Sequence, residues 1–140
     1  MRRLAAVIAT TTLAFGVALA GEPEVRVLRV DADCDGKPDQ VFLSQDDRAA
    51  SVRVVFGEVK RRPAQFRFEA SRSSQDAVCT MPVHVEPESL DYDPSKEGVG
   101  ELPGFRRSKT CRAFALVDGE CDSIHFYWNH KARRLQWWRR

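Results

Sequence analysis

The chain has 140 residues and a formal net charge of +2. Arg2 and Arg3 carry that whole excess; beyond residue 20 the 20 basic and 20 acidic groups cancel, which gives no reason to expect a nucleic-acid partner. The four cysteines, Cys34, Cys79, Cys111 and Cys121, include no C-x-x-C pair, which argues against a zinc or redox centre and for two disulfides in an oxidising compartment.

Residues 1–20 have the make-up of a secretory signal. Met1-Arg2-Arg3 is a basic start, Leu4 to Leu19 is mostly apolar, and Ala18-Leu19-Ala20 offers small residues around a cleavage point. The apolar run is short for a bilayer and is interrupted by Thr10-Thr11-Thr12, so no membrane span is expected after cleavage. The remaining chain, 21–140, suits one domain that is periplasmic or secreted. Its charge is unevenly placed. Residues 21–104 hold 11 basic and 17 acidic groups, whereas 105–140 hold 9 basic and 3 acidic. Such halves can attract one another within a domain or leave a basic face for a partner.

The first mature element, Val25–Val30, is β-branched and reads as a strand, as does Gln40–Leu43 further on. Between them lies Asp31-Ala32-Asp33-Cys34-Asp35-Gly36-Lys37-Pro38-Asp39. Aspartates at the first, third, fifth and ninth positions can turn inward around one point, and Gly36 at the sixth allows the sharp bend. The carbonyl of Lys37 can face the same point, and Asp39 can close the shell directly or through water. These are hard oxygen donors, and the ion they suit is calcium. A helix-loop-helix calcium hand would need a glutamate at the twelfth position; Phe42 stands there and cannot ligate. The loop therefore joins two strands.

This pattern resembles the D-x-D-x-D-G-x-x-D loops of FG-GAP (VCBS) repeats. The resemblance covers about 20 residues, occurs once, and implies that Asp31, Asp33, Asp35, Asp39 and the carbonyl of Lys37 hold calcium. A propeller of such repeats needs at least four blades, which one copy does not supply. Cys34 departs from the Gly or Asn usual at the fourth position. A second resemblance, on Glu88–Pro94, Pro103–Ser108 and Cys121–His130, is to a group of small exported proteobacterial proteins; it brings no activity with it. Affinity is expected in the ~0.1–1 mM range of extracellular calcium modules, which suits a structural ion better than a switch.

Further strand-like runs follow at 52–56, 64–69, 78–85, 111–117, 122–128 and 134–138. In Gln65-Phe66-Arg67-Phe68-Glu69 the phenylalanines share one face and the polar residues the other. Helix is scarce, with a turn or two at Ser71–Ala77 or Glu88–Leu90. Segment 86–104, acidic and holding three prolines, reads as a long surface loop. Within it Asp91, Asp93 and Glu97 lack a glycine turn, so solvated charges are preferred there to a second cation site.

The runs 111–117 and 121–128 read as a hairpin turning at Asp118-Gly119. In that register Cys121 faces Leu116, ~16 Å along the strand from Cys111, too far for a disulfide. The pairing expected is Cys34–Cys121 with Cys79–Cys111, tying the aspartate loop to the C-terminal hairpin.

Trp128 to Arg140 combines three tryptophans with five cations. Trp128, Trp137 and Trp138 with Arg133 and Arg134, extended by Arg106 and Arg107, would suit an envelope protein or cell-wall polymer. The competing reading is a closing strand whose tryptophans fill the core while arginines guard the edge. No Gly-x-Ser-x-Gly elbow, His-Glu-x-x-His helix or phosphate-cradling loop occurs. A hydrolase of wall polymer would need His84 or His125 beside carboxylates in a cleft. The expectation is an all-β, mainly antiparallel domain, a small curled sheet, barrel or sandwich with a strand-flanked calcium loop, acting without catalysis as a binding or structural module. The oligomeric state is not legible.

Overall fold

A computed structural model describes residues 24–140; the expected signal at 1–20 lies outside the described residues. Eight strands form: β1 (Val25–Val30), β2 (Asp39–Gln45), β3 (Ala49–Val55), β4 (Ala64–Glu69), β5 (His84–Ser89), β6 (Arg112–Val117), β7 (Ile124–Asn129) and β8 (Arg134–Trp138). They make two four-stranded antiparallel meanders, β1-β2-β3-β4 and β5-β6-β7-β8. Each sheet keeps two free edges, so the architecture is a small sandwich and not a closed barrel. No helix among the described residues is long and apolar enough to cross a membrane.

Alternation decides which residues face inward. Val41 and Leu43 of β2, Val52 and Val54 of β3 and Phe68 of β4 meet Phe114, Leu116, Ile124 and Phe126 from the opposite sheet in one buried cluster. Phe126 is the hub. It stacks on Phe114 at 4.4 Å and meets Phe66 and Phe68 edge-on at 5.2 and 6.0 Å, arrangements that aromatic quadrupoles favour.

In the middle of the chain the strand lies elsewhere than its residue pattern predicts. Strand was expected at 78–85 and surface loop from 86, yet β5 runs from His84 to Ser89. Pro87 disguises it. Proline lacks an N–H, but β5 is an edge strand with β6 as its single partner, where a missing donor is tolerated. Residues 90–111 then fold back across the outer face of the second sheet. Leu90 is buried there with Ala113, Tyr127 and Trp138, while Tyr92, Val99, Leu102 and Phe105 pack on them. Small Ala113 makes room for this second core.

Within the returning segment the acidic groups are engaged locally. Asp93 caps a short 3-10 turn (Pro94–Glu97) by accepting from the Ser95 N–H, Asp91 pairs with Arg107, and Glu97 pairs with Arg140.

Both disulfides differ from the expected pairing: they are Cys34–Cys111 and Cys79–Cys121. Strand direction explains the correction. Cys34 follows β1 and Cys111 precedes β6 at one end of the sandwich, whereas Cys79 follows β4 and Cys121 follows β6 at the other. Bridging Cys34 to Cys121 would span the length of β6, ~20 Å. The β6–β7 register is also corrected. Leu116 faces Ile124, not Cys121, because Asp118–Ser123 forms a wider turn. Asp118 organises it. Burial alone would push its carboxyl up, but N–H groups of Cys121, Cys79 and Glu120 outweigh that and hold it below the usual carboxylate range.

Candidate metal centre

The loop at residues 31–38 leaves β1 and enters β2, and its shape is set by its own carboxylates. Asp31 accepts from the N–H groups of Asp35 (3.0 Å) and Gly36 (3.1 Å), and Asp33 accepts from Asp35 (3.1 Å). Gly36 has φ of +84° and Cys34 of +59°, so the backbone turns left-handed twice within three residues. The disulfide from Cys34 to Cys111 fixes this turn to the start of β6.

Asp39 is the buried anchor. Its residue is 0% exposed, one carboxylate oxygen accepts from Gly57 (2.8 Å), and the other accepts from Ala32 (2.8 Å) and Asp33 (3.2 Å). Burial pushes this carboxyl up to about 6, against the lowering effect of the Gly57 and Ala32 hydrogen bonds, with the charges of Asp31 and Asp35 adding to the rise. Gly57 must be glycine because the β3–β4 turn lies directly on the loop: a Cβ there would stand 2.9 Å from the Pro38 carbonyl oxygen.

Of the four carboxylates expected to hold calcium, three come together. One carboxylate oxygen each from Asp31, Asp33 and Asp39 lies within 4.8 Å of the others. Ligands on opposite sides of a calcium ion are separated by about twice its ~2.4 Å bond length, so this spacing accommodates the ion. Asp35 stands outside the trio; its carboxylate accepts from the Lys37 N–H at 2.8 Å and lies 4.0 Å from the Lys37 ammonium. The donors fit a hard divalent cation in type and spacing.

Arg61 carries no signal in the sequence pattern. It comes from the β3–β4 turn, 28 residues from Asp33, and its guanidinium pairs with the fully buried Asp33 carboxylate and with Glu58 at 2.8 Å. Its other face packs over Phe56 and Trp128, at 5.5 and 4.8 Å from the ring centroids. Burial and the like charge of Arg133 pull its pKa down. No local spacing could signal this partner, since the contact depends on β2, β3 and β4 being paired.

The C-terminal residues divide. Trp128 and Trp138 are each 7% exposed, so the faces expected to meet a partner are spent in the two cores. Trp137 is half-buried against Phe68 at 5.6 Å and lines an open groove of about 570 Å³ with Phe66, Leu102, Tyr127, Arg134 and Gln136. Arg106, Arg107, Arg133 and Arg134 are exposed. His84 pairs with Glu86 on the surface, and His125 binds Glu88 at 2.8 Å while stacking on Trp138 at 4.2 Å.

Comparison of the chain with family models, with curated proteins and with solved structures returned no match.

Proposed function

We propose that the 31–39 loop is a calcium site of FG-GAP (VCBS) type that stabilises an exported, non-catalytic β-sandwich, a binding or structural module of the cell envelope. The observation that carries this reading is the convergence of Asp31, Asp33 and Asp39 at calcium-ligand spacing in a loop of the D-x-D-x-D-G-x-x-D pattern. When bound, the ion would offset the charges of Asp31 and Asp39, which Arg61, paired with Asp33 and Glu58, does not neutralise. Asp31, Asp33 and Asp39 would hold it, while Gly36, Gly57 and the Cys34–Cys111 bridge keep the loop in shape. The two disulfides suit an oxidising compartment, which supports a periplasmic or secreted location.

The test is thermal unfolding in 1 mM calcium against EDTA. At a dissociation constant of ~0.1 mM the ion contributes about 1.4 kcal/mol, a rise in Tm of roughly 3–6 °C for a domain of this size. Equal melting temperatures, with no heat in a calcium titration, would remove the ion from the account.

A second reading rests on the groove at Trp137. Its half-exposed indole, beside Arg134 and Gln136, offers a stacking face and polar groups to a cell-wall polymer or an envelope protein. Quenching of tryptophan fluorescence by soluble wall fragments, abolished in Trp137→Ala but not in Arg48→Glu, is the expected result; an unchanged signal counts against it.

A further inference from the structure

The end of the sandwich that carries the aspartate loop also presents two other turns: the β3–β4 turn, residues 56–63, and the β7–β8 turn, residues 130–133. They lie side by side, since Arg61 of the first packs over Trp128 at the base of the second. At the apex of the first, the Arg61 N–H bonds the Glu58 carbonyl at 3.0 Å, placing Val59 and Lys60 at the two central positions. Valine is an unusual choice there. Turns favour Gly, Asn, Asp, Ser and Pro, and a β-branched side chain gains nothing at a tip without neighbours. Val59 is nonetheless 99% exposed.

A lone exposed aliphatic residue is ordinary on a protein surface. What sets this one apart is its company. Lys60 and Arg62 follow it in the same turn, Lys131 and Arg133 stand on the adjoining turn, and all four are exposed. None of the four is in an ion pair among the described residues. Of the acidic groups at this end, Asp33 and Glu58 are paired with Arg61, while Asp93 and Glu101 share a cleft with Lys131. The two turns together hold five cations against the single carboxylate of Glu58, with one apolar side chain at the apex.

We propose that this two-turn end docks on an anionic phospholipid surface, with Val59 entering the headgroup region while Lys60, Arg62, Lys131 and Arg133 face the phosphates. Charge alone would serve a soluble polyanion equally well. An aliphatic apex adds affinity where an apolar phase lies behind the charges, which a bilayer supplies and a hydrated polymer does not. The docking does not require the metal, so it is measured in EDTA and stands or falls apart from the calcium reading.

The experiment is flotation of the purified protein with vesicles of phosphatidylcholine, alone or mixed with phosphatidylglycerol. Binding is expected to the anionic vesicles only and to weaken with salt. Each cation near such a surface contributes about fivefold, so Lys60→Glu/Arg62→Glu should lose on the order of 500-fold, replacing two attractions by two repulsions. Val59→Asp should lose about 10-fold. Arg48→Glu, exposed in the β2–β3 turn at the opposite end, should bind as the parent does. Absence of binding to anionic vesicles overturns the proposal. So does equal binding by Val59→Asp together with equally tight binding of dextran sulfate, which would mark the surface as a general polyanion site.

Discussion

Replacing Asp39 with alanine is expected to destabilise the protein by about 3 kcal/mol at pH 7 in EDTA. The carboxylate serves three N–H groups from Ala32, Asp33 and Gly57, two of them in fully buried bonds. A buried donor left without a partner costs ~1–3 kcal/mol, and relief from burying a charge offsets part of that sum. In calcium the loss should grow by about the contribution of the ion, ~1.4 kcal/mol. Chemical denaturation of both proteins in EDTA and in calcium measures the two parts separately. A change below ~0.5 kcal/mol in EDTA would show that Asp39 does not anchor the turn to the β3–β4 hairpin.

The same residue sets a pH dependence with an unusual sign. Its folded pKa of about 6 lies above the ordinary 3.8. Its contribution to stability is therefore fully present below about pH 4 and is lost as pH rises through about 6. Without metal, Asp39 should make the parent about 1 kcal/mol more stable at pH 5 than at pH 7 relative to Asp39→Ala, taken as a difference between the two proteins so that other carboxyls cancel. Calcium is expected to reverse the trend, because the ligands of the proposed site must be ionised and affinity should fall as pH drops through about 6. A difference that does not vary with pH would contradict the burial of this carboxyl.

The largest expected effect belongs to the bridge between Cys34 and Cys111. It joins residues 77 apart, and the entropy withheld from an unfolded chain by a loop of that length corresponds to about 4 kcal/mol. Domains of this size are stable by only ~5–15 kcal/mol in total. Cys34→Ser/Cys111→Ser should thus unfold at much lower denaturant and also bind calcium more weakly, because the left-handed turn at Cys34 loses its tether. Cys79→Ser/Cys121→Ser, whose bridge spans 42 residues at the far end, should cost nearly as much stability yet leave calcium affinity unchanged in the folded fraction. Peptide mapping without reduction checks the premise; a peptide joining Cys34 to Cys121 would refute it.

How far the chain could be read in advance follows the range of each interaction. Strand positions such as 25–30, 64–69 and 134–138 were legible because β-branched and aromatic content, or alternation, is written over five or six residues of sequence. The aspartate loop was legible for the same reason: nine consecutive residues carry the donors and the bend. Strand β5 was hidden, since Pro87 argues against a strand until it is known to lie at an edge. Arg61 was equally hidden, because its partner Asp33 lies two strands away in sequence.

Local chemistry by itself determined that this chain makes antiparallel ribbons, places hard oxygen donors in one turn, and carries cysteines suited to an oxidising compartment. Only the folded arrangement decided which cysteines meet, which tryptophans are buried, and which cations remain at the surface. The physical reason is that periodicity and turn chemistry act over a few residues, whereas these outcomes depend on the end of the sandwich to which each strand delivers its flanks. Strand direction and sheet stacking, set by the whole core, bring Cys34 to Cys111, seat Trp128 and Trp138 in apolar surroundings, and leave Lys60, Arg62, Lys131 and Arg133 facing water together.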